Sequence, residues 1–131
     1  LEKAKKEAAI IAREEEEERK KKAHDRMLLE TFAGTEEIEV ARDQKIEAVE
    51  TTIKITQKRI IKLQYLLDDE LNQNSLDKQL DGKDKKFNNT ESLKKQISDN
   101  KKFIKNKIDE QIKTKKTYMD YILRFKKLKG L

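Results

Sequence analysis

Ile46, Val49, Ile53, Thr56, Ile60, Leu63 and Leu67 recur at alternating steps of three and four residues. On an α-helix this spacing keeps one narrow stripe in line, and the partner that buries such a stripe is a second helix carrying a matching one. Thr56 weakens one layer without breaking the phase. A second stripe lies downstream: Leu93, Ile97, Asn100, Ile104, Ile108, Ile112, Tyr118 or Met119, Ile122 and Phe125. Its two successive steps of four, Ile104 to Ile108 to Ile112, predict a stutter that locally unwinds a supercoil. Asn100 at a seam position is a candidate for fixing register.

Punctuation is sparse: the chain has no Pro and only 3 Gly, at positions 34, 82 and 130, where the helical patterns stop. Glycine is the usual residue just past a helix end. Three helices follow, at about 2–32, 36–81 and 89–129, with a turn at about 82–88. Thr35, ahead of Glu36 and Glu37, reads as an N-cap with acids in the first turn, and Asn88 with Glu91 as a capping-box-like start. So short a connection sends the third helix back antiparallel to the second. Position i then faces roughly 170 − i. Leu67 then meets Phe103, Ile60 lies near Gln111 and Ile112, Ile53 near Tyr118, and Ile46 near Phe125.

The expected fold is all-α: a charged N-terminal spacer helix over 1–33, then an antiparallel coiled-coil hairpin over 34–131. Composition agrees, since 44% of the 131 residues are charged and 34% hydrophobic. A narrow seam with a large wetted surface accommodates that balance, whereas a compact core does not. The seam residues are Ile46, Val49, Ile53, Ile60, Leu63, Leu67, Ile97, Ile104, Ile108 and Ile122.

The first helix contains REEEEERKKK, Arg13 to Lys22, with nothing to bury. At a spacing of four, Glu15 meets Arg19, Glu16 meets Lys20, Glu17 meets Lys21 and Glu18 meets Lys22, each with the acid on its favoured N-terminal side. A disordered tail is the competing reading of such a charge block. Net charge is +6 overall, but residues 76–131 hold 17 basic against 8 acidic residues, net +9, and residues 31–75 hold 6 against 9, net −3. Helices of opposite charge pairing within one molecule, or a surface for polyanions, both fit this asymmetry. Lys101, Lys102, Lys105, Lys107, Lys113, Lys115 and Lys116 supply the basic surface. Only Arg124 among the arginines lies in this helix, and Phe103 is the single aromatic among these lysines, so the basic stretch lacks the repeated aromatics of a base-stacking surface. Nucleic acid is therefore the disfavoured partner; peripheral contact with an anionic membrane stays open.

Chemistry-bearing constellations are scarce, and no catalytic, metal or cofactor residue is assigned. There is no Cys. His24 is the single histidine and lacks companions for a zinc site. Asp68, Asp69 and Glu70 cluster without the sheltered cleft that acid-base catalysis needs. The glycines are too far apart for a phosphate loop. Leu63-Gln64-Tyr65-Leu66-Leu67 matches a leucine-rich docking motif that coiled-coil spacing produces by chance, and Asn88-Asn89-Thr90 is a formal glycosylation sequon. No run is long and apolar enough for a membrane span. The chain opens on Leu1 and is read as part of a longer protein.

Aromatic and apolar residues crowd one end of the hairpin, where six of the eight residues Tyr118 to Phe125 are apolar or aromatic. One facing helix cannot cover them all. Met27, Leu28, Leu29 and Phe32 arrive there through Gly34. Either they complete a local three-helix core, or a surplus forms an interface with a protein partner or a second copy. Met27, Leu28, Phe32, Tyr118, Tyr121 and Phe125 are the candidate interaction residues.

The stretch DRMLLETFAGTEEIEVARDQKI, Asp25 to Ile46, followed by a heptad hairpin and the ending YILRFKKLKG, resembles gammaproteobacterial envelope proteins of uncharacterised function. Its most specific part is Leu-Leu-x-x-Phe ahead of the Glu-Glu-Ile and Arg-Asp elements. The resemblance covers about residues 20–131. It implies a secretion signal and a small N-terminal domain upstream, a periplasmic or cell-envelope setting rather than the cytoplasmic alternative, and no catalysis. It supplies no functional residues. The expected function is that of a non-enzymatic structural or adaptor coiled coil within a larger assembly, the alternative being a nonspecific binder of polyanions through the basic C-terminal helix.

Overall fold

The structure, a computed structural model, describes residues 1–81 and 89–131, with side chains at 1–76 and 89–131. The described residues form three α-helices: α1, Glu2–Thr31; α2, Thr35–Asp81; and α3, Thr90–Lys129. The fold is all-α, and α2 and α3 pack as an antiparallel hairpin. The turn at about 82–88, with Gly82 and the Asn88 cap, lies outside the described residues.

The link from α1 to α2 works without a left-handed glycine. Phe32 ends α1 in an extended conformation, φ −117 and ψ 133, while its N–H still donates to the Leu28 carbonyl at 3.1 Å. Thr35 is already the first residue of α2 rather than its cap. The capping group is the Glu37 carboxylate, which accepts from the Ala33 N–H at 2.8 Å, reaching one residue further out than the acid of a capping box does. At the end of α3, Gly130 does adopt positive φ, 71°. Gly130 N–H donates to the Lys127 carbonyl and Leu131 N–H to that of Lys126, the paired closure of a Schellman ending.

Packing divides the chain elsewhere than at residue 33. One compact unit is Leu1–Asp43 with Lys115–Leu131, and the other is Gln44–Thr114.

In the second unit the α2 stripe is inward as read: Ile53, Thr56, Leu63 and Leu67 are buried and Ile46, Val49 and Ile60 half-buried. Thr56 tolerates burial because its hydroxyl donates to the Thr52 carbonyl at 2.8 Å. The α3 stripe differs from expectation. Burial runs through Leu93, Ile97, Asn100, Ile104, Lys107, Gln111 and Thr114, an unbroken alternation of three and four. There is no stutter, and Ile108, placed in the seam on sequence grounds, is exposed together with Ile112. A strict seven-residue step from Ile97 through Ile104 and Gln111 reaches Tyr118 and Phe125, both buried. Following Ile108 and Ile112 instead would have rotated those aromatics off the inner face.

The register also shifts. Asn74 meets Thr90, Glu70 meets the Asn89 N–H, and Gln111 meets both Glu50 and the Ile46 carbonyl. Facing numbers therefore sum to about 160, not 170. Leu67 and Leu63 pack with Leu93 and Ile97, and the Leu67–Phe103, Ile53–Tyr118 and Ile46–Phe125 pairings are replaced. The helix ends are not level: α2 runs on beyond Asn74, past the start of α3.

Candidate interaction surfaces

The first unit closes a small core where three helix ends meet. Leu28, Ile38, Tyr118 and Phe125 are its buried members, and Met27, Phe32, Ala41, Tyr121 and Ile122 pack against them. Leu28 is 0% and Phe125 1% exposed. Of the six residues read as an interaction surface, Leu28, Tyr118 and Phe125 are therefore spent within the chain. Met27, Phe32 and Tyr121 are half-buried on the same core. The cause is the entry of α1, whose last turns supply the cover that α2 alone cannot. Ile122, assigned to the coiled-coil seam, belongs to this core too.

A polar clamp beside the core fixes that entry. Arg124 donates Nε to Asp25 Oδ1 at 2.8 Å and Nη2 to Asp25 Oδ2 at 2.7 Å, the bidentate geometry that suits guanidinium and carboxylate. Hydrogen bonding from Arg124 lowers the Asp25 pKa below its ordinary value, and the same bonds raise that of Arg124. His24, next to Asp25, tilts its ring against Tyr121 with centroids 5.3 Å apart. It is a surface residue in contact with an aromatic, and no group of three or more metal-binding side chains occurs among the described residues.

Upstream of this contact α1 is exposed, with Glu16 alone half-buried through residue 24. The ion pair within its charged run is Arg19 with Glu16, three residues apart. Lys20 acts on Glu16 at longer range. Ile11, 55% exposed, shares one stripe with Ala8, Glu15 and Glu18 at steps of three, four and three.

The second unit presents an outer face of α3. A shallow hollow is lined by Lys94, Ile97, Ser98, Lys101, Lys102 and Lys105. Just beyond it Ile108 and Ile112 stand 44% and 61% exposed. Lys101, Lys105, Ile108 and Ile112 follow at steps of four, three and four, so one outward strip carries both charge and apolar surface. The sequence signal for this strip is the pair Ile108 and Ile112 itself, whose spacing fits an inward stripe equally well.

Other candidates resolve into structural duties. Gln64 donates to Asp68 at 3.0 Å, and Glu70 accepts the Asn89 N–H at 3.3 Å. Leu63 and Leu67 of the leucine-rich motif lie in the hairpin core. Asn100 donates to the Gln96 carbonyl of its own helix at 2.7 Å, so that bond does not cross the seam. No described helix is long and apolar enough to cross a membrane. No protein-family model, curated protein or solved structure matches this chain.

Proposed function

We propose that this protein is a non-enzymatic coiled-coil scaffold or adaptor that joins protein partners through helix faces left open by its own fold. The carrying observation is the exposure of Ile11 on α1 and of Ile108 and Ile112 on α3, each on a helix whose surface is otherwise strongly charged. Apolar residues regularly spaced on a charged helix are the signature of a helix-to-helix contact. The resemblance of Asp25 to Ile46 and of the C-terminal ending supports a cell-envelope setting.

Site-specific photo-cross-linking in cells tests this reading. A photoreactive residue at position 11, 108 or 112 should give discrete protein adducts, while one at Glu47, whose helix neighbours Asp43, Gln44, Glu50 and Thr51 are all polar and exposed, should give none. Equal labelling from all four positions would sink it. The alternative, a polyanion binder, is favoured by the four lysines of the α3 hollow. Micromolar affinity for a mixed-sequence duplex, falling steeply with salt, would select that alternative.

A further inference from the structure

The exposed strips of α1 and α3 complement each other in charge, apolar content and spacing. On α1 the order from the N-terminal side is apolar then acidic: Ala8, Ile11, Glu15, Glu18. On α3 it is basic then apolar: Lys101, Lys105, Ile108, Ile112. All eight are exposed in the folded chain. We propose that α1 of a second copy lies antiparallel along this face of α3, with Ala8 and Ile11 against Ile112 and Ile108, and Glu15 and Glu18 against Lys105 and Lys101. This deepens the assembly reading, on which it rests, by naming the partner.

Three arguments select this arrangement. The paired numbers sum to about 120 throughout, so each pair sits within one residue's rise, about 1.5 Å, of a common level. Reversing the direction while keeping Ile11 on Ile108 would set Glu15 against Ile112 and Ala8 against Lys105, which strands both charges. The acidic block also extends across Glu14 to Glu18, and Lys94 and Lys102 widen the basic face, so the complementarity exceeds the two named ion pairs. The apolar pairs alone are too few for a tight complex. Association should therefore be salt-sensitive, because surface ion pairs are screened.

The experiment is sedimentation velocity on the whole chain at low salt, up to about 100 μM, where a micromolar self-association is fully visible. The wild type should self-associate and dissociate as salt rises. E15K/E18K and K101E/K105E should each weaken self-association on the order of tenfold or more, since each turns attraction into repulsion. An equimolar mixture of the two variants should restore a complex, because the reversed charges on α1 of one variant then face the reversed charges on α3 of the other. All four positions lie outside both cores, so circular dichroism of each variant should match the wild type. A wild type that stays monomeric, or variants that associate normally, would overturn the inference. So would binding of the lysine face to phosphatidylglycerol vesicles without self-association. In any of these cases, photo-adducts to a different protein would leave the scaffold reading standing.

Discussion

The two compact units bury their most enclosed apolar residues to different depths. In the unit where α1 joins the ends of α2 and α3, Leu28 and Ile38 are 0% and Phe125 1% exposed. In the two-helix unit, Ile53, Leu63, Leu67, Leu93 and Ile97 retain 4% to 9%. A pair of helices leaves every seam residue with an open flank, whereas a third helix closes that flank. The difference extends to composition. The three-helix core is aromatic and apolar, but α3 contributes Asn100, Lys107, Gln111 and Thr114 to the seam opposite apolar α2 positions. Gln111 satisfies itself on the Ile46 carbonyl and on Glu50, and Lys107 pairs with Glu110 at 3.0 Å.

Phe125→Ala should break the comparison most severely. Removing the ring from a fully buried site costs about 3 to 5 kcal/mol, and near-ultraviolet dichroism from Tyr118 and Tyr121 should collapse first as denaturant is raised. Leu67→Ala should cost about 2 to 3 kcal/mol, toward the low end for a residue whose flank is already open. Urea unfolding followed by helicity checks it. If both substitutions cost the same, depth of burial is not what separates the units. Lys107→Leu should work in the opposite direction, raising stability by about 1 kcal/mol as an apolar side chain fills a seam position facing Ile53. A lower melting midpoint would show that the Glu110 pair matters more than the layer.

The smallest effect concerns acid. Because Arg124 lowers the folded-state pKa of Asp25, the pair stabilises the fold at pH values above the ordinary Asp range. That contribution fades as pH falls through the lowered folded value. Asp25→Asn should therefore weaken the three-helix unit slightly at neutral pH and leave its melting less sensitive to acid. Parallel pH profiles for the two proteins would show that the clamp is inert.

These contrasts explain which features can be read directly from the residues. The α2 stripe is legible because its aliphatic residues coincide with its buried ones. On α3 they separate: Lys107 and Gln111 go in while Ile108 and Ile112 stay out, so a reading that ranks residues by hydrophobicity follows the wrong strip. What decides the issue is phase, since only the seven-residue step through Gln111 delivers Tyr118 and Phe125 inward. Register is misplaced for another reason. A sum of 170 requires level helix ends, whereas α2 continues past the residues that meet Asn89 and Thr90. The six candidate interaction residues do gather at one end of the hairpin, but the core consumes most of them, because burial by α1 depends on how the link at Phe32 and Gly34 directs it.

The Asp25–Arg124 clamp joins residues 99 apart in sequence, while Asn74 and Thr90 are 16 apart and Glu70 and Asn89 are 19 apart. Closing the longer loop costs about 1.5 kcal/mol more in chain entropy than closing a 19-residue one. The hairpin contacts near Leu67 and Leu93 should therefore form early in folding, and the docking of α1 late. During synthesis the delay is longer. Leu28 leaves the ribosome well before Phe125 exists, and at roughly 5 to 20 residues per second it waits about 5 to 20 seconds for its partner. Throughout that interval Met27, Leu28 and Phe32 lack their cover from α3 at the end of a charged helix. Of the segments that build this core, the one made earlier than its α3 partners is buried latest, and the dense charge of residues 13–22 keeps it solvated while it waits.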